Sequence, residues 1–140
     1  MPETDTIPVS AGVASTGLGI RYIGNYVYAY SGTYGAAQAA STKLDFTSGS
    51  GVIIGVFQLN TPVSTGTGIQ ASTAQIFFND EKIALIKTLG STSNQGFSSS
   101  QTQDLIIPPF TKVEVIVTST DDQAGQLGSV VITGRVYGDA

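Results

Sequence analysis

The sequence contains no histidine and no cysteine, so acid–base or metal chemistry would depend on its carboxylates. The usual Ser/His/Asp and Cys/His nucleophile systems are excluded, as are metal sites held by His or Cys. Hydrolysis would need a converging pair of acidic side chains. The candidates are Glu3, Asp5, Asp45, Asp80, Glu81, Asp104, Glu114, Asp121, Asp122 and Asp139.

Most of these carboxylates fall in predicted turns or near the termini. Only Asp45 and Glu114 lie within predicted strands, each on the polar side of an alternating pattern and beside a lysine, which favours a solvated surface over a catalytic pair. The adjacent residues Asp80-Glu81 and Asp121-Asp122 could donate oxygens to Ca²⁺, but neither follows the spaced ladder of a helix–loop–helix calcium site. We therefore predict no enzyme activity, and we assign no catalytic, cofactor-binding or metal-binding residue.

The clearest structural signal is a pair of strands separated by a break. An apolar run at 105–107 stops at Pro108-Pro109, and residues 113–118 then alternate between apolar and polar types. Proline has no backbone N–H and cannot lie within a central ladder, so the two prolines mark the end of a strand. The alternation that follows predicts a half-buried strand.

Two tight hairpins are predicted from their turn residues. Runs at 20–23 and 26–30 flank Gly24-Asn25, where glycine supplies the positive φ that such turns require. Runs at 74–78 and 82–87 flank a turn at 79–81, whose Asn and Asp tolerate left-handed backbone. Further strands are predicted at 42–47, 52–59 and 130–137, and connecting segments at 31–41, 61–72, 90–103 and 119–125. The near-continuous apolar run at 52–59 predicts a buried, central strand.

About eight strands without a helical segment predict an all-β protein. We expect a single jelly-roll-like antiparallel β-sandwich over residues 19–140, preceded by an extended N-terminal arm at residues 1–18. The arm is either a frayed terminus or a segment that packs on a neighbouring subunit. An immunoglobulin-like sandwich is the alternative fold, although the Cys and Trp typical of antibody domains are missing.

Tyr26, Tyr28 and Tyr30 alternate along one predicted strand and should project from one face. Such a stripe could stack on sugars or bases, but alternating tyrosines more often cover a core edge or a subunit interface. Only 11% of residues are charged, the net charge is −4, and the six basic residues form no run, so we expect no nucleic-acid partner. No segment reaches the ~20 apolar residues of a membrane span.

Three blocks of the chain, YVYAYSG (26–32), LIIPPFTKV (105–113) and ITGRVYG (132–138), resemble small jelly-roll virion proteins of tailed bacteriophages, the head decoration or cement protein group. The resemblance implies a non-enzymatic structural protein on the capsid surface of the virion. Such a protein binds the outside of the assembled phage head as an oligomer and stabilises it. The implied partners are the major capsid protein and other copies of the chain, commonly in a homotrimer, with no cofactor.

A receptor-binding tip of a head or tail fibre that recognises a host surface glycan is the alternative function. Recognition would then lie in the loops at 61–72 and 90–103, where Phe97 is the only aromatic residue. A depolymerase would need a converging carboxylate pair, which the sequence does not indicate.

Overall fold

The structure, a computed structural model, describes residues 19–60, 71–89, 100–120 and 123–138. Within these ranges the chain forms ten strands and no helix, so they contain no helical segment capable of spanning a membrane. The strands are β1 (Ile20–Ile23), β2 (Tyr26–Tyr30), β3 (Tyr34–Ala36), β4 (Ser41–Thr47), β5 (Val52–Asn60), β6 (Ala71–Phe78), β7 (Glu81–Leu89), β8 (Ser100–Ile107), β9 (Lys112–Ser119) and β10 (Gln123–Tyr137).

The strands form two antiparallel sheets. One sheet has the order β1-β2-β10-β5-β8, and β3 also pairs with β10. The second sheet has the order β4-β9-β6-β7. The predicted all-β, antiparallel architecture is therefore confirmed, with ten strands in place of about eight. One of the additional strands is β3, which lies in the segment predicted as a loop at 31–41. The other is β1, the short first strand of the predicted hairpin at 20–30.

The core lies between the two sheets and contains alternate residues of their central strands. Val113, Val115 and Val117 of β9 are buried, as are Ile53 and Phe57 of β5, and all five belong to one hydrophobic cluster. Burial of one such side chain contributes roughly 1.5–3 kcal/mol of transfer free energy. The alternation read from residues 113–118 thus corresponds to the core-facing side of the second sheet.

Both predicted hairpins are confirmed. Gly24 has φ of +61° in the turn between β1 and β2, and Asn79 and Asp80 have φ of +51° and +71° between β6 and β7. The Asn79 Oδ1 also accepts a hydrogen bond of 2.9 Å from the backbone N–H of Lys112. This bond attaches the second turn to the start of β9.

The break at Pro108-Pro109 is also confirmed, and it is stabilised by the buried Ser48. The Ser48 hydroxyl donates to the Pro108 carbonyl oxygen over 2.8 Å and accepts from the backbone N–H of Thr111 over 2.9 Å. Two backbone bonds of 2.9 Å, from Ser48 N–H to the Thr111 carbonyl and from Phe110 N–H to the Gly49 carbonyl, complete the contact. The turn after β8 is therefore fixed to the turn after β4.

Several predicted loop boundaries are wrong. The loop at 90–103 ends earlier, because residues 100–103 belong to β8 and pair with β5. Similarly, residues 71–72 open β6, and the predicted turn at 119–125 includes the end of β9 and the start of β10. Residues 100–103 have polar side chains, but their backbone groups pair with the long strand β5, and polar side chains do not prevent such pairing.

The central position of β5 is confirmed, because it pairs with β10 on one side and β8 on the other. The expectation that its apolar run is buried is wrong for one face, since Ile54 is 49% exposed and Val56 is 37% exposed. The predicted arm at 1–18, the calcium candidate Asp121-Asp122, most of the two long loops, and Phe97 lie outside the described residues.

Candidate interaction surface

The six-stranded sheet has an outer face formed by the residues that alternate with its core-facing ones. Strand pairing places Arg135 of β10 directly beside Tyr26 of β2 and Ile54 of β5. The same row ends with Ile23 of β1 on one side and Ile106 of β8 on the other. We call this surface the tyrosine face and define it by Arg21, Ile23, Tyr26, Tyr28, Tyr30, Ile54, Val56, Asp104, Ile106, Thr133, Arg135 and Tyr137.

The tyrosine face exposes an unusually large apolar area. It includes eight large apolar side chains that are at least one third exposed, with Ile106 at 65% and Ile23 at 62%. Their exposed fractions correspond to roughly 700–800 Å² of residue surface, with tyrosine hydroxyls and main chain included, and the apolar part lies at the upper end of the about 300–600 Å² of the largest apolar patch on a typical monomer. An interface of standard size takes about 800 Å² from each partner. The patch is therefore large enough to form one side of a stable interface.

Arg135 lies at the centre of the tyrosine face and contacts two of its tyrosine rings. Its guanidinium carbon lies 5.0 Å from the centroid of the Tyr26 ring and 5.8 Å from that of Tyr137. Cation–π contacts of this kind contribute about 0.5–1 kcal/mol at exposed sites. Beside them is an open hollow of about 390 Å³, lined by Ile23, Tyr26, Val27, Tyr28, Thr133, Gly134 and Arg135.

The basic residues are segregated between the two sheets. Both arginines of the chain, Arg21 and Arg135, lie on the tyrosine face. All four lysines lie in strands of the other sheet: Lys43, Lys82, Lys87 and Lys112. Protein interfaces are enriched in Tyr and Arg and depleted in Lys. The tyrosine face therefore has both the composition and the exposed area that are typical of a protein interface.

The structure brings together the two carboxylates that the sequence placed in strands. Asp45 of β4 lies directly opposite Glu114 of β9, on the outer side of the four-stranded sheet. The Lys112 Nζ is 3.7 Å from the Glu114 Oε1, and Asp45 is exposed. Exposed pairs of this kind contribute at most about 1 kcal/mol. This open, lysine-flanked arrangement supplies neither an enclosed site nor a desolvated acid, so it does not support hydrolysis by a carboxylate pair.

The remaining described carboxylates are not clustered. The expectation that only Asp45 and Glu114 lie in strands is wrong, because Glu81 opens β7 and Asp104 lies within β8. Asp80 occupies the turn of the β6–β7 hairpin. Across the residues that the structure describes, no group of three or more acidic side chains is placed to hold a metal ion.

Two tyrosines outside the tyrosine face are partly buried. Burial raises the pKa of Tyr34 well above its ordinary value, and no hydrogen-bond partner is found for its hydroxyl among the described residues. The Lys43 Nζ lies 4.3 Å from the centroid of the Tyr34 ring, and burial lowers the pKa of this lysine. Burial also raises the pKa of Tyr22, whose hydroxyl accepts a 3.0 Å hydrogen bond from the Gly49 N–H that acts in the opposite direction.

Part of the tyrosine face could be predicted from the sequence. Alternation placed Tyr26, Tyr28 and Tyr30 on one side of a strand, and all three are exposed there. Ile54 was missed because its apolar run was expected to be buried, and Ile106 because the short run at 105–107 does not indicate which of its side chains is exposed. A signal was present in residues 52–57, where the side chains on both faces of the strand are mostly apolar. A strand with one face in solvent normally has polar side chains on that face.

No protein-family model matches the chain, and no curated protein matches its sequence. Inference of function therefore depends on the geometry of the tyrosine face, the strand order, and the resemblance of the three sequence blocks.

Proposed function

We propose that this protein is a non-enzymatic structural virion protein, a capsid decoration or cement protein that binds the outside of the assembled phage head as an oligomer and stabilises it. The observation that carries the proposal is the tyrosine face, a broad surface rich in Tyr, Ile and Arg on a β-sandwich. A decoration protein needs such a surface for assembly, and it needs no catalytic centre.

The finer fold assignment, a jelly roll, belongs to the same proposal and is supported by strand order. When β1 and β3 are set aside, eight strands remain, in the orders β2-β10-β5-β8 and β4-β9-β6-β7. Within this set the first strand pairs with the last, the second with the seventh, the third with the sixth and the fourth with the fifth. This nested pairing supports the proposed jelly roll, in which one long hairpin is rolled into two sheets.

The proposed action of the protein is thermodynamic. A ligand that binds only one state of its target stabilises that state by RT ln(1 + [L]/Kd), which is about 2.7 kcal/mol per site at a hundredfold excess over Kd. A protein that binds only the expanded shell would therefore oppose its opening. The implied partner is the major capsid protein, and the implied location is the capsid surface.

Reconstitution on heads that lack the protein tests this function. Purified chain is added to expanded heads and to unexpanded shells, and binding is measured by co-sedimentation. We expect saturable binding to expanded heads, at a fixed ratio to the major capsid protein, and a higher temperature of DNA release. Absence of co-sedimentation at micromolar concentration, or equal binding to both shells without a change in stability, would reject the proposal.

The receptor-binding tip is the second candidate, and exposure of Tyr26, Tyr28 and Tyr30 favours it because sugar rings stack on aromatic side chains. Under this hypothesis the Phe97→Ala and Tyr28→Ala variants should lose adsorption to the host while the particles remain as stable as wild type. The cement hypothesis predicts normal adsorption to the host for both variants.

A further inference from the structure

The two outermost strands of the tyrosine face carry opposite charges. One row across the sheet runs from Arg21 through Tyr28, Thr133 and Val56 to Asp104. Arg21 and Asp104 thus lie on the two outermost strands, β1 and β8. Four inter-strand spacings of about 4.8 Å separate them by roughly 19 Å, so they cannot pair within one molecule.

A second copy turned to face the first would satisfy both charges. A two-fold axis parallel to the strands and over β10 places Arg21 of each copy opposite Asp104 of the other. In the adjacent row, the same axis places Ile23 opposite Ile106. Two-fold interfaces use one self-complementary patch twice, and sheets that pack face to face do so at about 10 Å.

We propose that a second copy of this chain packs against the tyrosine face in a two-fold, sheet-to-sheet dimer. The exposed apolar area matches what one partner gives to a standard interface, and both Arg21–Asp104 pairs are formed between copies. Arg135 lies on the central strand, so the two Arg135 guanidinium groups meet near the axis in a like-charge contact. This contact is unfavourable, and the cation–π contacts of each guanidinium with tyrosine rings offset part of its cost. Each guanidinium is held against Tyr26 and Tyr137 of its own copy.

Sedimentation equilibrium of the purified full-length chain tests the dimer, with a pair of matched variants. Ile54→Lys introduces a charge within the proposed interface and should convert the dimer to monomer, because an unpaired buried charge is costly. Leu85→Lys is the control, since Leu85 is similarly exposed, at 57%, on the four-stranded sheet. This variant should remain dimeric. The highest concentration measured should be about 100 µM, which is on the order of the dissociation constant of a weak interface. A wild-type chain that is monomeric or trimeric at that concentration would overturn the proposal.

A charge exchange tests the orientation. Arg21→Asp and Asp104→Arg should each raise the dissociation constant about tenfold, because each variant replaces two ion pairs with two like-charge contacts. The double variant should return to within about threefold of wild type at low salt. Since the two residues are too far apart to interact within one molecule, only a contact between copies can give this rescue. Failure of the rescue would contradict the two-fold arrangement.

The inference rests on the proposed function only in that both require assembly, and the two can fail separately. A monomeric chain that still binds expanded heads would reject the dimer and leave the decoration role intact. A chain that forms the dimer but does not bind expanded heads would support the dimer and reject the decoration role. The dimer also differs from the homotrimer that the resemblance implies, so the measured mass decides between them.

Discussion

Replacement of Ser48 by alanine should destabilise the protein more than replacement of any other hydroxyl-bearing residue in the turns between the strands. Ser48 is 3% exposed and lies between the turns that follow β4 and β8. Its hydroxyl accepts from the Thr111 N–H at 2.9 Å and donates to the Pro108 carbonyl at 2.8 Å. Alanine fills the space of the side chain but provides neither bond.

The expected cost follows from the two groups that lose their partner. The Thr111 N–H is buried, and an unsatisfied buried donor costs about 1–3 kcal/mol. Pro108 is exposed, so water can replace the lost bond to its carbonyl and the additional cost is about 0.5 kcal/mol. We therefore expect a loss of about 2–3 kcal/mol in the free energy of unfolding. For a domain of this size, that lowers Tm by roughly 6–10 °C.

Urea and thermal unfolding followed by circular dichroism measure this change. The urea midpoint should fall while the m-value stays unchanged, because the surface exposed on unfolding is the same. Ser50→Ala is the control, since Ser50 lies in the same turn but is exposed, and its effect should stay within about 0.5 kcal/mol. Equal stability of Ser48→Ala and wild type, or an equal loss in both variants, would refute this account of the turn.

Three further predictions concern residues of the core and its margin. Tyr22→Phe should lose about 1 kcal/mol in urea unfolding, because it removes the hydrogen bond from the Gly49 N–H. Tyr34→Phe should be neutral or stabilising, because no partner is found for its hydroxyl among the described residues. The opposite order of stability would contradict the structure. Burial raises the pKa of Tyr34 above the ordinary value of about 10, so the unfolded chain loses the hydroxyl proton at a lower pH than the folded chain does. The free energy of unfolding should therefore decline above about pH 10, and it should decline less steeply in Tyr34→Phe than in wild type. Gly134→Ala should lose more than about 2 kcal/mol in the free energy of unfolding, because the new Cβ would lie 2.6 Å from the Ile54 carbonyl oxygen and would separate β5 from β10. Thr133→Ala is the control on the exposed side of the same strand, and it should change stability by less than about 0.5 kcal/mol.

Local residue chemistry was sufficient to predict three of the turns and the strands beside them. Gly24 and the Asn79-Asp80 pair tolerate the left-handed backbone that tight turns require, and Pro108-Pro109 cannot continue a ladder, so each marks a turn without knowledge of its tertiary partners. The core-facing side of β9 followed in the same way from its alternating valines. These features depend on a few adjacent residues, which is why they could be read directly.

The tyrosine face could be predicted only in part, because it combines residues that are distant in the chain. Tyr26, Ile54 and Ile106 become neighbours only through the order β2-β10-β5-β8, and the sequence does not specify which strands pair. Residues 100–103 were missed as strand for a similar reason, since their pairing with β5 is a backbone interaction that polar side chains do not reveal.

The most direct test of the proposed decoration role is the copy number of this chain in purified phage particles. Quantitative mass spectrometry gives the ratio of this chain to the major capsid protein. We expect a ratio near one or a fixed simple fraction, since a decoration protein follows the symmetry of the shell. A handful of copies per particle would contradict that role and favour a fibre tip, and complete absence from the particle would reject a virion function.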